Sequence, residues 1–321
     1  MSDFEIGSIF ADRYEIMELL GKGGMGMVYR VKDWKRREDV ALKTLLPKYS
    51  DNPQAVRRFA REVAAARKID HPCVVKIYDA RQYENILFYT MEYLNGQSLR
   101  GLMRARHKLG QNMGIGSTVR IISLVCHALE TAHEFTIHRD ISPENVMVTP
   151  NGDVKLLDFG LAKVGDMDAN LTRVGVSLGK IQYGAPEQRI DAKNVDTRAD
   201  IFSLGVMFYE MLTGSLPDGD KKISELVANL PNTCDAFYAK ATAEDPATRF
   251  QSAKEMRLSL QRIYQQATGE SIEILPEKEP EEEVENVQAV EEALPVMPDI
   301  GEQSIFVRII GQLRKWTGRS E

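Results

Sequence analysis

The segment from His138 to Glu187 constrains this chain more than any other. It reads His138-Arg139-Asp140-Ile141-Ser142-Pro143-Glu144-Asn145 and runs into the apolar triplet Val146-Met147-Val148. The turn sequence Pro150-Asn151-Gly152-Asp153 leads to Val154-Lys155-Leu156-Leu157 and Asp158-Phe159-Gly160, and Ala185-Pro186-Glu187 closes the segment. Two short apolar runs joined by Pro, Asn and Gly read as a hairpin. It carries Asp140, Asn145 and Asp158 at fixed offsets. A carboxylate, an amide and a second carboxylate are hard oxygen donors, suited to Mg²⁺, which binds substrate phosphates plus one or two protein groups.

Upstream, residues 14–20 alternate like a half-buried strand and enter Gly21-Lys22-Gly23-Gly24-Met25-Gly26-Met27-Val28, a GxGxxGxV run. Glycines let the backbone turn tightly and bring N–H groups close to phosphates. Dinucleotide-binding folds share this pattern but follow it with a helix. Here Tyr29-Arg30-Val31-Lys32 follows and reads as a strand, so that reading loses. Val40-Ala41-Leu42-Lys43 then puts a lysine on a strand. Alone it would be a solvated edge residue; its distance from the glycine loop argues for more. A helix opens at Asn52-Pro53, with Val56, Phe59, Val63 and Ala66 expected on its inner face. Glu62 points toward the body, either as an i,i+4 partner of Arg58 or as a partner of Lys43. His71-Pro72 ends the helix, and strands are expected over 74–81 and 85–93. Residues 117–135 carry Val119, Ile122, Val125, Cys126, Leu129 and Ala132 at helical spacing, a long buried helix on which His127 and His133 read as packed or surface residues.

In this order and spacing the motifs resemble the protein kinase family over roughly 14–265, and the GGMG wording is similar to its bacterial, eukaryotic-like serine/threonine members. The resemblance implies an α+β, two-lobed fold: a small antiparallel-sheet N-lobe with one helix and a larger, mostly helical C-lobe. It divides the chain into an extension (1–13), N-lobe (14–94), C-lobe (95–266), acidic disordered linker (267–303) and basic amphipathic segment (304–321). It implies transfer of the ATP γ-phosphate, with Mg²⁺ or Mn²⁺, to Ser/Thr hydroxyls of protein substrates in signalling, with autophosphorylation. Asp140 would orient the acceptor hydroxyl and take its proton; Lys43, paired with Glu62, would hold the α/β-phosphates; Asn145 and Asp158 would hold the metal. The nucleotide would lie between Leu20, Gly21, Gly23, Gly26, Val28 and Ala41 on one side and Met147 on the other, with Met91, Glu92 and Leu94 at the hinge. Arg139 marks members whose activation segment is ordered by phosphorylation, with Thr172 and Ser177 as candidate acceptors. His138 and Phe159 are expected to pack beneath the site, Asp200 to cap catalytic-loop N–H groups, and Arg249 to pair with Glu187. The stretch 217–232 is short for that part of the family.

One departure stands out. Most serine/threonine members carry Lys two residues after the catalytic Asp and Thr in the G-T-x-x-Y run; here these are Ser142 and Lys180. Lys180 restoring the missing cation from the other side is favoured over decay toward an ATP-binding pseudokinase scaffold that acts through its tail. A small-molecule kinase is disfavoured by Arg139 and Ala185-Pro186-Glu187.

Composition narrows the rest. The net charge of −6 is uneven: 270–302 hold twelve acids against Lys278, and 303–321 hold four bases against Glu321, leaving the body near +2. A nearly neutral body gives no case for a nucleic-acid partner. The Glu- and Pro-rich stretch reads as a self-repelling disordered linker. Beyond it Phe306, Ile309, Ile310, Leu313 and Trp316 form one apolar stripe among Arg308, Arg314, Lys315 and Arg319. That segment reads as a helix docking a protein partner, the kinase itself or a membrane surface, with protein favoured; packing within an oligomer is the plain alternative. No apolar run approaches the ~20 residues of a transmembrane helix, and the opening residues do not form a signal peptide. Cys73, Cys126 and Cys234 are scattered, so the expected setting is cytoplasmic and reducing.

Overall fold

The computed structural model describes residues 4–23, 26–46, 50–159, 182–190 and 194–271. Apolar–polar alternation in the first part of the chain builds six antiparallel strands: β1 (Ile9–Phe10), β2 (Tyr14–Gly23), β3 (Gly26–Asp33), β4 (Glu38–Leu45), β5 (Ile77–Tyr83) and β6 (Ile86–Glu92), in the order β1-β2-β3-β4-β6-β5. Strand side chains alternate between faces, so register decides what each face does. Tyr29 pairs with Leu42, and that face buries Tyr14, Ile16, Met27, Val31, Val40 and Phe88 as the lobe's core. On the opposite face Val28 pairs with Lys43 and Lys43 with Tyr89, while Arg30 pairs with Ala41 and Ala41 with Met91. Residues 4–13, set apart in the sequence as an extension, belong to this sheet: β1 pairs with β2, and the Phe4 ring lies 4.7 Å from Phe10 and 5.1 Å from Tyr29.

Helix α1 (Pro53–Ala66) begins where Asn52 caps the N–H groups of Gln54 and Ala55. It buries Ala55, Phe59, Ala60, Val63 and Ala66. Val56, expected inward, is only half-buried, because the spacing 55, 59, 63, 66 tracks the helix period better than a stripe starting at 56. The Phe59 ring stands 6.2 Å from Tyr89, which places α1 over the sheet face that carries Lys43.

A second small sheet, β7 (Gln97–Ser98), β8 (Val146–Val148) and β9 (Val154–Leu156), underlies the first. The helices are α2 (Leu99–Lys108), α3 (Ile115–Ala132), α4 (Pro186–Ile190), α5 (Arg198–Thr213), α6 (Ile223–Leu226), α7 (Thr233–Ala241) and α8 (Ala253–Thr268). The six apolar residues expected on the 117–135 helix are all buried in α3. Helix α5 is apolar nearly all round and forms the centre of this lobe. Gly205 lets α7 approach it, since a Cβ there would stand 2.6 Å from the Ala241 Cβ. Helix α8 runs two residues beyond the boundary at 266 and ends at Gly269 in the left-handed region (φ 77°). The one four-residue helix within 217–232 matches the shortness expected there.

His127 and His133, read as packed or surface residues, are both half-buried against neighbouring side chains. His133 meets Asp200 at 2.9 Å, and the rings of His71 and His127 lie 4.5 Å apart. The Cys73 N–H donates to His71 Nδ1 at 3.0 Å, so neutral His71 carries its proton on Nε2, facing His127 Nδ1. Burial, then the neighbouring His127, pushes the His71 pKa down to about 4 from 6.5. The unfolded chain therefore binds more protons between those values, so this pair's contribution to stability falls as pH drops through that window and is constant above it. Thermal unfolding followed from pH 7 to pH 4 should show a decline in midpoint that His71→Gln makes shallower.

Candidate active site

The loop before β8 and the β8–β9 hairpin assemble the three donors. Asn145 sits in a single 3₁₀ turn, Pro143–Asn145, and its Nδ2 donates to the Asp140 main-chain oxygen at 2.7 Å and to Asp140 Oδ2 at 2.8 Å. With Nδ2 so used, Oδ1 is the Asn145 atom left to face a cation. The Leu157 N–H donates to the Asn145 carbonyl at 2.9 Å and ties the end of β9 to the loop just before Asp158.

Two non-glycine residues here take left-handed backbone conformations, Arg139 (φ 67°) and Asp158 (φ 56°). Such strain persists only where the surroundings over-determine it. Buried Asp200 supplies that for the first: its carboxylate accepts the N–H groups of His138 at 2.9 Å and Arg139 at 2.7 Å, as the sequence anticipates. Burial would raise this carboxyl's pKa, but hydrogen bonds from His133 and the backbone hold it below the usual value. His138 Nε2 donates to the Leu157 carbonyl at 2.6 Å, its Nδ1 accepts the Asp140 N–H at 3.3 Å, and its ring lies 4.7 Å from Phe159. Gln188 on α4 donates to the Arg139 carbonyl at 3.0 Å, whereas Arg139 Nε is buried with no hydrogen bond among the described residues.

From the sheet side, Lys43 Nζ reaches Asp158 Oδ2 at 2.6 Å and the Tyr89 hydroxyl donates to Asp158 Oδ1 at 2.7 Å. Burial, then the adjacent carboxylate, raises the Tyr89 pKa and keeps it a donor. Glu62, assigned to Lys43 in the sequence, lies half-buried on α1 between Phe59 and Val63.

Between sheet and hairpin lies a cavity of about 430 Å³. Leu20, Gly21, Val28 and Ala41 wall one side and Met147 the other; Met91, Glu92 and Leu94 form its edge, and Asn145 and Asp158 its polar end. The Glu92 N–H is taken by the Lys76 carbonyl at 2.9 Å and its side chain meets Lys155 at 2.5 Å. Gly23 and Gly26, expected beside the nucleotide, pair with each other where β2 meets β3. Gly26 is required by strand packing, because a Cβ would stand 1.7 Å from the Thr44 carbonyl oxygen. Tyr89, Val75, Gly96 and Leu157 were missed. Tyr89 had a signal, since it lies two residues from Met91 and period two puts both on one face. Gly96 had none, its need being a 2.6 Å approach of a Cβ to the Val148 carbonyl oxygen.

Ser142 is buried beside Asp140. Lys180, Thr172, Ser177, Gly160 and the linker and tail from 272 onward lie outside the described residues. Arg249, fully buried, meets Glu187 through Nη1 at 2.6 Å and Nη2 at 2.9 Å.

The protein kinase domain family matches residues 14–268. The chain belongs to that family. It is 33% identical over 290 residues to serine/threonine-protein kinase PknB of Mycolicibacterium smegmatis, covering 84% of this chain and 46% of the relative. It is 31% identical over 274 residues to serine/threonine-protein kinase PrkC of Bacillus subtilis, covering 81% and 42%. The chain thus spans less than half the length of these curated relatives. Among solved structures, the PknI kinase domain of Mycobacterium tuberculosis is similar at a TM-score of 0.68 and 27% identity, covering 81% of this chain and all of that one. The antiparallel-sheet N-lobe and helical C-lobe are those of the protein kinase fold. Among the described residues no helix is long and apolar enough to cross a membrane.

Proposed function

We propose that this protein is a serine/threonine kinase that transfers the γ-phosphate of Mg-ATP to protein hydroxyls and to itself. The observation that carries this reading is that Asn145 and Asp158 form the polar end of an apolar cavity, with Lys43 on Asp158 at 2.6 Å and Asp140 on Asn145 at 2.8 Å. Among the described residues no three His, Cys, Asp or Glu side chains gather as a metal cage. That fits a Mg²⁺ held by Asn145, Asp158 and the phosphates the nucleotide brings, since this ion takes few protein ligands. When bound there, such an ion would neutralise charge on the transferring phosphoryl group. The chain's own part is positioning: apolar walls take the base, Lys43 meets the α/β-phosphates with Glu62 behind it, and Asp140 accepts the proton of the incoming hydroxyl. Both Asp158 oxygens already accept a hydrogen bond, but a carboxylate has about four lone-pair directions, so a cation adds to those contacts.

Lys180 completes the reading by supplying the cation missing at Ser142, and Arg139 by receiving a phosphate on Thr172 or Ser177. Purified protein incubated with Mg-ATP should label on Ser or Thr, and Lys180→Ala should abolish labelling while ATP binding remains. Normal labelling of Lys180→Ala would remove the exchanged-lysine account alone. Wild type that binds ATP and never transfers phosphate, even to generic acceptors, would leave the scaffold reading in its place.

A further inference from the structure

Asp158 holds a strained backbone and is gripped from the sheet by two donors. Its φ of 56° is left-handed, a conformation that a non-glycine residue keeps only where its surroundings fix it. The chain just before it is pinned, because the Leu157 N–H donates to the Asn145 carbonyl at 2.9 Å and the Leu157 carbonyl accepts His138 Nε2 at 2.6 Å. The side chain is pinned as well: Lys43 Nζ donates to Oδ2 at 2.6 Å and the Tyr89 hydroxyl to Oδ1 at 2.7 Å. Lys43 and Tyr89 are direct partners across β4 and β6, so both donors come from one rung of the sheet.

The two donors differ in what they do once a nucleotide arrives. In the reading above Lys43 turns to the α/β-phosphates, and Asp158 then loses that bond. Tyr89 cannot follow, because its ring is buried, 6.2 Å from the Phe59 ring on α1 and 5.9 Å from Lys43 Nζ. Its hydroxyl is neutral, so it fixes one carboxylate oxygen without cancelling the negative charge that a cation needs. A hydrogen bond to an ionised acceptor is also of the stronger kind.

We propose that Tyr89 is a positioning residue: its hydroxyl keeps the Asp158 carboxylate turned toward the metal after Lys43 has gone to the nucleotide. The inference rests on the protein kinase reading above. Phenylalanine at this position keeps the ring and its packing and removes the donor alone. Asp158 then has one grip fewer on a strained backbone and spends less time in the metal-facing orientation. Apparent affinity falls with the fraction of the competent state, so Mg²⁺ adds less to nucleotide binding. Binding without Mg²⁺ does not draw on that orientation and stays as it was.

The test is calorimetric titration of wild type, Tyr89→Phe and Tyr89→Leu with adenylyl imidodiphosphate, a non-hydrolysable ATP analogue, once in excess Mg²⁺ and once in EDTA. Tyr89→Phe should bind about tenfold more weakly than wild type in Mg²⁺, the size of one hydrogen bond to a charged group, and equally well in EDTA. Its phosphate labelling should reach half its maximal rate only at about tenfold higher Mg²⁺, for the same reason. Tyr89→Leu lacks the hydroxyl in a different shape and should show the same split; it decides if Tyr89→Phe does not fold. Equal weakening in both titrations overturns the proposal, since Tyr89 would then serve packing alone. Unchanged or tighter binding in Mg²⁺ overturns it as well. A wild type that binds no nucleotide, or gains nothing from Mg²⁺, indicts the kinase reading itself, a result distinct from an active wild type whose response to Mg²⁺ ignores Tyr89.

Discussion

Asp140→Asn should lower the transfer rate about 10²- to 10⁴-fold, the range typical of a positioned acid–base group, and leave nucleotide affinity near that of wild type. The two side chains have the same shape, so the loop keeps its course. The Asn145 amide retains the Asp140 main-chain oxygen at 2.7 Å, and an asparagine turned with its oxygen inward still accepts the second bond. What disappears is the negative charge that orients the acceptor hydroxyl and the site that receives its proton. Asp140 is not part of the wall of the 430 Å³ cavity, whereas Asn145 and Asp158 are, so binding and transfer separate at this residue. Single-turnover rates at saturating Mg-ATP, beside fluorescence titration of the nucleotide, measure both quantities. A variant as fast as wild type would remove Asp140 from the chemistry.

The second large effect concerns the fold behind the site. Arg249→Met should destabilise the protein by about 3–5 kcal/mol, the usual cost of breaking a buried ion pair on one side. The Arg249 guanidinium serves Glu187 through both terminal nitrogens and also donates to the carbonyls of Ala243, Glu244 and Arg198. Methionine fills much of the volume and satisfies none of these acceptors. For a domain of this size the midpoint of thermal unfolding should fall by about 10 °C. The double variant Glu187→Gln/Arg249→Met should lose less than the single one, because the half-buried Glu187 carboxylate is then not left without its partner. Equal losses in both would mean that packing, not the ion pair, sets the cost.

Much of the site was legible because its parts are local. Asp140 and Asn145 lie just before one hairpin and Asp158 just after it, and its turn sequence and two apolar runs fix their relation. Asp200 and Arg249 were also placed correctly, through motifs whose partners lie far away in the chain, and this came from the family resemblance, since no local pattern points from Asp200 to the N–H of Arg139. The first strand was misjudged for a physical reason: Ile9 and Phe10 are too short a run to show alternation, and their role as a strand comes only from pairing with Glu15 and Tyr14. Val56 and Ala55 exchanged roles because a helix stripe read from bulk favours valine, whereas the helix period favours the alanine.

Sequence by itself determined the family and the two-lobed fold, because both follow from motifs within single strands, turns and helices and from their order, and through that resemblance it named much of the cavity wall. Tertiary structure alone decided which groups meet across elements. Lys43 and Tyr89 both reach Asp158 because β4 and β6 pair in that register and set both side chains on one face of the sheet. Gly26 answers to the Thr44 carbonyl and Gly96 to the Val148 carbonyl, close approaches of one backbone to another that no spacing encodes. Arg100 belongs to Glu144, Tyr183 and Glu210 only because α2, the catalytic loop, the segment before α4, and α5 come together there. A side chain's chemistry can be read from its name, but its partner depends on packing, which is a property of the whole chain.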